Sequence, residues 1–281
     1  MRAWALVLAF VAIVAGCGGD DEPTSATVLT EAAFADKAAA AVVTGSELQA
    51  APTAVLRVNV SAETSLNTFA LSLEEPYADY RARPTELDEI LQGVVADAEA
   101  TMEDGNAGRS FSEVRPRVMP VLKPLTALRG LAEMPAARRF PGNLHVVYVV
   151  EQPDSLMAVT SADLEMWDRS LEEMHAIAAA NLLRQTNQKT PLRCEEELCG
   201  WASGDGWDAA RMIVPELRRQ IVKRIGPAVY AVPTEGIYVA LPIKLADRIR
   251  PRVQHDFVTA DNPVSQDLFV ERGGELVVLP A

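Results

Sequence analysis

The chain is short of cysteine, histidine, aromatic residues and positive charge, and each shortage closes off a class of protein. Its 281 residues include 3 Cys and 3 His, with aromatic residues at 6%. Three cysteines are too few for a disulfide-dense scaffold. His145, His175 and His255 are too widely scattered to complete the three or four ligands of a zinc site. Lys and Arg number 26 against 39 Asp and Glu, for a formal net charge of −13. That balance argues against a nucleic-acid partner, whose phosphates are bound by Lys and Arg as counterions are released. The 16 Gly and 18 Pro are too few for a collagen-like or disordered chain. The apolar run Ala3–Gly16 falls short of the roughly 20 residues that a helix needs to cross a bilayer. Multi-pass insertion is therefore excluded.

What is present is 49% hydrophobic residues and 23% charged ones, enough for one large domain or two small ones. Arg2 precedes the apolar run, and small residues close it, which is the form of a secretory signal over residues 1–16. Val14-Ala15-Gly16-Cys17 resembles the bacterial lipobox, whose cysteine is acylated and becomes the new N-terminus. Cleavage takes Arg2 and no acid, moving the formal charge from −13 to −14. An anionic bilayer would repel such a body, so Cys17 acyl chains are expected to hold it to the lipid bilayer. Residues 17–29, opening Gly18-Gly19-Asp20-Asp21, read as a flexible lipid tether. Gly18 instead of aspartate after the cysteine favours the periplasmic face of the outer membrane, by analogy with enterobacterial sorting.

An oxidising compartment makes a hairpin disulfide the default reading of Cys194 and Cys199, with free thiols, redox chemistry or half a metal site as alternatives. Glu195, Glu196 and Glu197 between them read as a solvated turn.

The remainder divides into a helix–strand–strand–helix lobe at 30–112 and a second α+β lobe at 113–281. A helix starts at Thr30 as N-cap and ends before Gly45. Strands follow at 54–60 and 68–73, then a helix opened by Pro84 with Leu87, Ile90, Leu91, Val94, Val95 and Ala98 on one face. Beyond 113, extended pieces at 119–122, 144–150 and 156–159 precede a helix opened by the capping box Ser170-x-x-Glu173. Short strands flank the cysteine turn, a helix runs from Asp208 to Arg224, and hairpins fall at 229–241 and 268–278. The expected fold is α+β, with antiparallel sheets of repeated strand–strand–helix units and helices on one face.

Few residues suggest chemistry. Gly204-Asp205-Gly206-Trp207-Asp208-Ala209 matches the dinucleotide pattern G-x-G-x-x-G/A. Two aspartates would repel the phosphate, so the favoured reading is a turn in which Asp205 and Asp208 cap a helix. On that reading, Asp208→Ala costs about 0.5–2 kcal/mol. No nucleophile elbow, Walker loop or H-E-x-x-H motif occurs. His145, inside an apolar strand, reads as a satisfied sheet residue. Arg248-Ile249-Arg250-Pro251-Arg252 reads as a salt-bridged surface.

Trp167, Asn181, Asp205-Gly206-Trp207-Asp208-Ala209-Ala210-Arg211, Ala231-Val232-Pro233, Ile237-Tyr238-Val239 and Pro263-Val264-Ser265 resemble the YtpQ-like family, a bacterial domain of unknown function. The resemblance implies no activity, cofactor or catalytic residue. Asp205, Trp207, Asp208 and Arg211 stand as candidate interaction residues. The expected function is a non-enzymatic, lipid-anchored domain of the bacterial cell envelope, with an envelope protein as partner and no cofactor. The alternative is an envelope hydrolase that uses scattered histidines or carboxylates.

Overall fold

The computed structural model describes residues 28–280. The expected signal peptide, Cys17 and all but the end of the tether lie outside them. Helix α1 (Glu31–Gly45) is capped as expected, Thr30 Oγ1 accepting from the Ala33 N–H at 3.3 Å. It is followed by β1 (Leu48–Ala54), β2 (Arg57–Ala62), β3 (Thr68–Ser72), α2 (Glu74–Ala82) and α3 (Leu87–Asp104).

The segment departs from expectation in three places. The run 54–60 is broken by a turn at Val55–Leu56, so one expected strand is two. The first of these, β1, contains Pro52 and is mostly exposed, so it carries no apolar alternation. Its place at the sheet edge is where a residue without an N–H is tolerated. Helix α2 was hidden because it buries only Tyr80. Leu29, the expected end of the tether, is held in place. Its N–H donates to Tyr80 Oη at 2.9 Å, and its carbonyl accepts from Tyr77 Oη at 3.0 Å. Both rings pack on Phe34, with centroids 5.3 and 5.4 Å away.

The chain continues through α4 (Phe111–Val114), β4 (Val118–Pro124), α5 (Leu125–Leu128), β5 (Ala137–Phe140), β6 (Leu144–Gln152) and β7 (Ser155–Ala158). All pairings are antiparallel, in the order β1-β2-β3-β7-β6-β4, with β5 also on β6. This sheet runs across residue 113: Thr68 of β3 lies opposite Leu156 of β7, and Phe69 opposite Ser155.

Next come α6 (Ser161–Met166), α7 (Leu171–Lys189), β8 (Arg193–Glu195), β9 (Leu198–Trp201), α8 (Pro215–Ile225), β10 (Ala228–Ala231), β11 (Tyr238–Pro242), α9 (Ala246–Thr259), β12 (Leu268–Arg272) and β13 (Glu275–Leu279). Helix α7 begins with the expected box, Ser170 Oγ accepting from the Glu173 N–H and Glu173 Oε2 from the Ser170 N–H. The second sheet is antiparallel throughout, ordered β13-β12-β10-β11-β9-β8. The fold is therefore α+β with two antiparallel sheets.

A single core joins the sheets. Tyr148 of β6, Met174 and Leu182 of α7, Trp201 of β9, Tyr238 of β11 and Phe269 of β12 all belong to it. Strand β10 is buried on both faces: Tyr230 faces this core, and Val229 and Ala231 pack with Val253 of α9. Helix α9 was not anticipated, because Pro251 sits inside it and costs about 3 kcal/mol in a helix interior. Its basic run stays near the surface, Arg252 pairing with Asp256 at 2.9 Å. Strands β9 and β11 pack so closely that a Cβ on Gly200 would stand 2.0 Å from the Tyr238 carbonyl oxygen.

Cys194 and Cys199 face each other across β8–β9, with Cα atoms 4.1 Å apart, and are joined as a disulfide. Glu195 ends β8 opposite Leu198, and Glu196 and Glu197 form the exposed turn. Because the closed loop is short, reducing the bond should lower stability by only about 2 kcal/mol. Urea unfolding of the oxidised and reduced protein measures this; a loss above twice that figure would mean the bond does more than close a hairpin.

Candidate functional site

The candidate residues converge where β9 leaves the second sheet. Gly204 and Gly206 have φ of +75° and +80°, so the chain reverses sharply on either side of Asp205. Asp205 Oδ1 accepts from the Trp207 N–H at 3.0 Å and closes the turn. Asp208 is not a cap. Its own backbone is helical, with φ −58° and ψ −49°, and its carboxylate makes no capping bond. It points back, accepting from the Ser203 N–H at 2.7 Å and from Ser203 Oγ at 2.8 Å.

Nor does one helix run from Asp208 to Arg224. Residues Ala209–Ile213 form a 3₁₀ turn, Val214 is extended, and α8 starts anew at Pro215. Proline disfavours the helical region for the residue before it, and here Val214 takes the extended conformation that breaks the run.

Arg211 sits at the centre and is fully buried, as is Asp208. Its Nη1 donates to Asp208 Oδ1 at 2.6 Å and Asp205 Oδ1 at 3.0 Å, Nη2 donates to Asp205 Oδ2, and Nε donates to Thr186 Oγ1 of α7 at 3.0 Å. Burial raises the Asp205 carboxyl pKa. The Arg211 and Trp207 hydrogen bonds and the guanidinium charge outweigh that, holding it below the usual aspartate value. The backbone N–H groups of Ser203, Gly204 and Trp207, which a bound phosphate would require, are occupied by these two carboxylates. The flanking sheet is antiparallel. The glycine pattern is thus an internal ion cluster and not a dinucleotide cradle.

Trp207 is buried in the core. Trp167 and Asn181 also have structural partners: Trp167 Nε1 donates to the Arg109 carbonyl at 2.9 Å, and Asn181 Nδ2 donates to the Arg115 and Val118 carbonyls.

Clefts of about 600 and 730 Å³ flank Asp205, and Glu151 at the end of β6 lines both. Lys189, Arg193 and Gln185 line the first; Arg57, Lys123 and Gln152 line the second. Burial is the main influence on Glu151 and raises its pKa; Lys189 lowers it by less, Asp205 raises it again, and the Trp207 indole N–H lowers it. Gln152 accepts from Arg109, leaving its buried Nε2 without an acceptor among the described residues. Sequence reading missed Glu151 and Gln152. Their only signal was a polar pair continuing the apolar strand 144–150 by two residues.

The histidines do not join them. His145 is not the satisfied sheet residue expected: its buried Nδ1 has no partner among the described residues, and burial together with Arg139 lowers its pKa. Lys123 and Arg139 lie opposite it on the two flanking strands. His175 Nδ1 lies 3.1 Å from Tyr148 Oη, and His255 is exposed on α9. Among the described residues no three His, Cys, Asp or Glu converge as metal ligands. The arrangement can therefore hold a polar ligand beside Glu151, whereas Asp205, Asp208 and Arg211 are occupied with one another. Comparison with family models, curated proteins and solved structures returns no match.

Two outcomes follow from this geometry. Asp208→Ala leaves the buried Arg211 with one of its two carboxylates, so the loss should be about 3–5 kcal/mol, above the range for a cap. Denaturant unfolding distinguishes the two, and a loss below 2 kcal/mol would restore the cap reading. Glu151, with a raised folded pKa, makes the folded state bind the proton more tightly than the unfolded one. Its ionisation therefore costs stability as pH rises from the unfolded value of about 4.3 through the folded one. Glu151→Gln should stabilise the protein at pH 7 and have little effect below about pH 4. A constant difference across that range would refute the assignment.

Proposed function

We propose that this chain is a lipid-anchored binding domain of the bacterial cell envelope. The observation that carries the reading is how the three cysteines divide. Cys17 ends the lipobox-like Val14-Ala15-Gly16-Cys17, and the other two are joined across a hairpin, which suits an oxidising compartment. No described helix is long and apolar enough to cross a membrane. Attachment would then fall to acyl chains, each buried CH₂ contributing about 0.8 kcal/mol. The periplasmic face of the outer membrane remains the proposed location. The clefts beside Glu151 support a binding role, with an envelope protein as one partner. The resemblance to the YtpQ-like family belongs to this proposal and adds no activity to it.

One observation favours the second reading, an envelope hydrolase. Glu151 is a half-buried carboxyl with a raised pKa at the junction of two clefts, the equipment of a general acid. Loss of hydrolysis in Glu151→Gln would select that reading.

The anchor is tested by Cys17→Ser, which should leave an unprocessed precursor without acyl label after growth in labelled fatty acid. If the variant matures to the same mass and still partitions into detergent, the anchor reading fails.

A further inference from the structure

A third cleft, of about 830 Å³, lies between the β2–β3 turn, the end of α3, the 131–135 loop and α6, and shares Leu66 with the larger cleft beside Glu151. Its volume is that of a small-molecule pocket, commonly about 300–1,000 Å³. Six carboxylates line it: Glu47, Glu99, Glu103, Asp104, Glu133 and Asp163. Among the described residues no Lys, Arg or His does. None of the six takes part in a salt bridge among the described residues. Two of them, Glu103 and Asp104, stand in the last turn of α3, which has no basic residue. That end of a helix carries partial negative charge and favours cations, so acids there repel it.

The floor supplies an independent sign. Asn106 is 97% buried, and its Nδ2 donates to the Ala158 carbonyl at 2.8 Å and to Asp163 Oδ2 at 3.2 Å. Both partners are acceptors, which fixes the amide orientation and leaves the buried Oδ1 without a donor among the described residues. The hydrogen bonds to Asp163 from Thr160 and Asn106 all fall on Oδ2, so its Oδ1 also retains its lone pairs. Two side chains that line this acidic cleft, Asn106 and Asp163, thus each keep an oxygen with no donor among the described residues, which calls for a donor that carries positive charge.

The donor's form follows from the rest of the lining. Because the carboxylates do not converge as metal ligands, a point charge is poorly matched, and charge spread along a chain is better matched. Leu48, Leu66, Met102, Leu131 and Met166 give the same cleft apolar stretches on which methylene groups can lie. We propose that this cleft binds a linear aliphatic polyamine. One terminal ammonium lies beside Asn106 Oδ1 and Asp163 Oδ1, the methylenes cover the leucines and methionines, and the remaining ammonium groups reach the rim carboxylates. The inference deepens the reading of the chain as a binding domain and is independent of its acyl anchor.

Calorimetry with spermidine on the full chain in non-ionic detergent, at 0.15 M salt, tests it. One equivalent should bind, and Asn106→Leu should weaken binding about tenfold or more, as expected for losing a hydrogen bond to a charged donor. Because Asn106 is buried, that variant counts only if it retains the parent's circular dichroism and cooperative melt. The exposed triple variant Glu99→Gln, Glu103→Gln, Asp104→Asn removes charge without disturbing the floor and should also weaken binding by about tenfold. The Cys17→Ser chain should bind as the parent does, so failure of the anchor and failure of the cleft are separately visible. Absence of spermidine binding would overturn the proposal, as would undiminished binding in the triple variant. So would magnesium binding as tightly as spermidine, or oligolysine binding where spermidine does not.

Discussion

The guanidinium of Arg211 is the interaction on which the arrangement of the second sheet depends. A fully buried cation is unstable without compensation, and Asp205 and Asp208 supply it from one short turn. That requirement dictates the local chain path. Gly204 and Gly206 take positive φ so that both carboxylates can turn toward one side chain. Ser203 is fixed by Asp208, and the bond from Arg211 to Thr186 ties the turn to α7. Through these contacts the exit from β9, the last turn of α7 and the approach to α8 are held in one register. A buried ion cluster adds little net stability over apolar residues of the same shape. What it adds here is directional: alternative packings of three elements would each strand a charge.

Around that cluster the apolar core makes the two sheets one body. Tyr148 in the first sheet and Tyr238 in the second belong to the same cluster, with α7 between them through Met174 and Leu182. The amino-terminal part has its own smaller core, where Phe34, Tyr77 and Tyr80 gather and fasten Leu29. It joins the rest through the pairing of β3 with β7 and through Asn106, whose amide bridges the end of α3 to β7 and α6. The acidic cleft lies along that junction.

What was legible in the sequence was local. Ser170 and Glu173 satisfy each other's backbone within one turn, so two residues announce the start of α7. Gly273-Gly274 between two apolar runs announces the last hairpin. Features decided by distant partners were not legible. Pro52 and Pro251 argue against strand and helix, and the structure keeps both by placing one at a sheet edge and the other in a helix that packs through Val253. Asp208 had the right chemistry for a cap, but the unpaired charge of Arg211 outweighed the orphan N–H groups of a short 3₁₀ turn. Likewise Glu47, Glu99 and Glu133 come from three separate segments, and nothing in their spacing brings them to one cleft.

The chain therefore treats its acids in two ways. At the Asp205 turn, two carboxylates consume one arginine and also accept from the Ser203, Gly204 and Trp207 N–H groups. At the cleft beside α3, six carboxylates meet no cation and a buried amide oxygen meets no donor among the described residues. A fold that can bury an arginine to settle two charges has the means to neutralise others. Leaving a cluster unneutralised, at the helix end where negative charge is least favourable, is the kind of local conflict that accompanies a binding site. The first cluster holds the second sheet to α7 by satisfying its charges internally. The second leaves that task to a ligand, so the two acidic regions serve the same molecule in opposite senses.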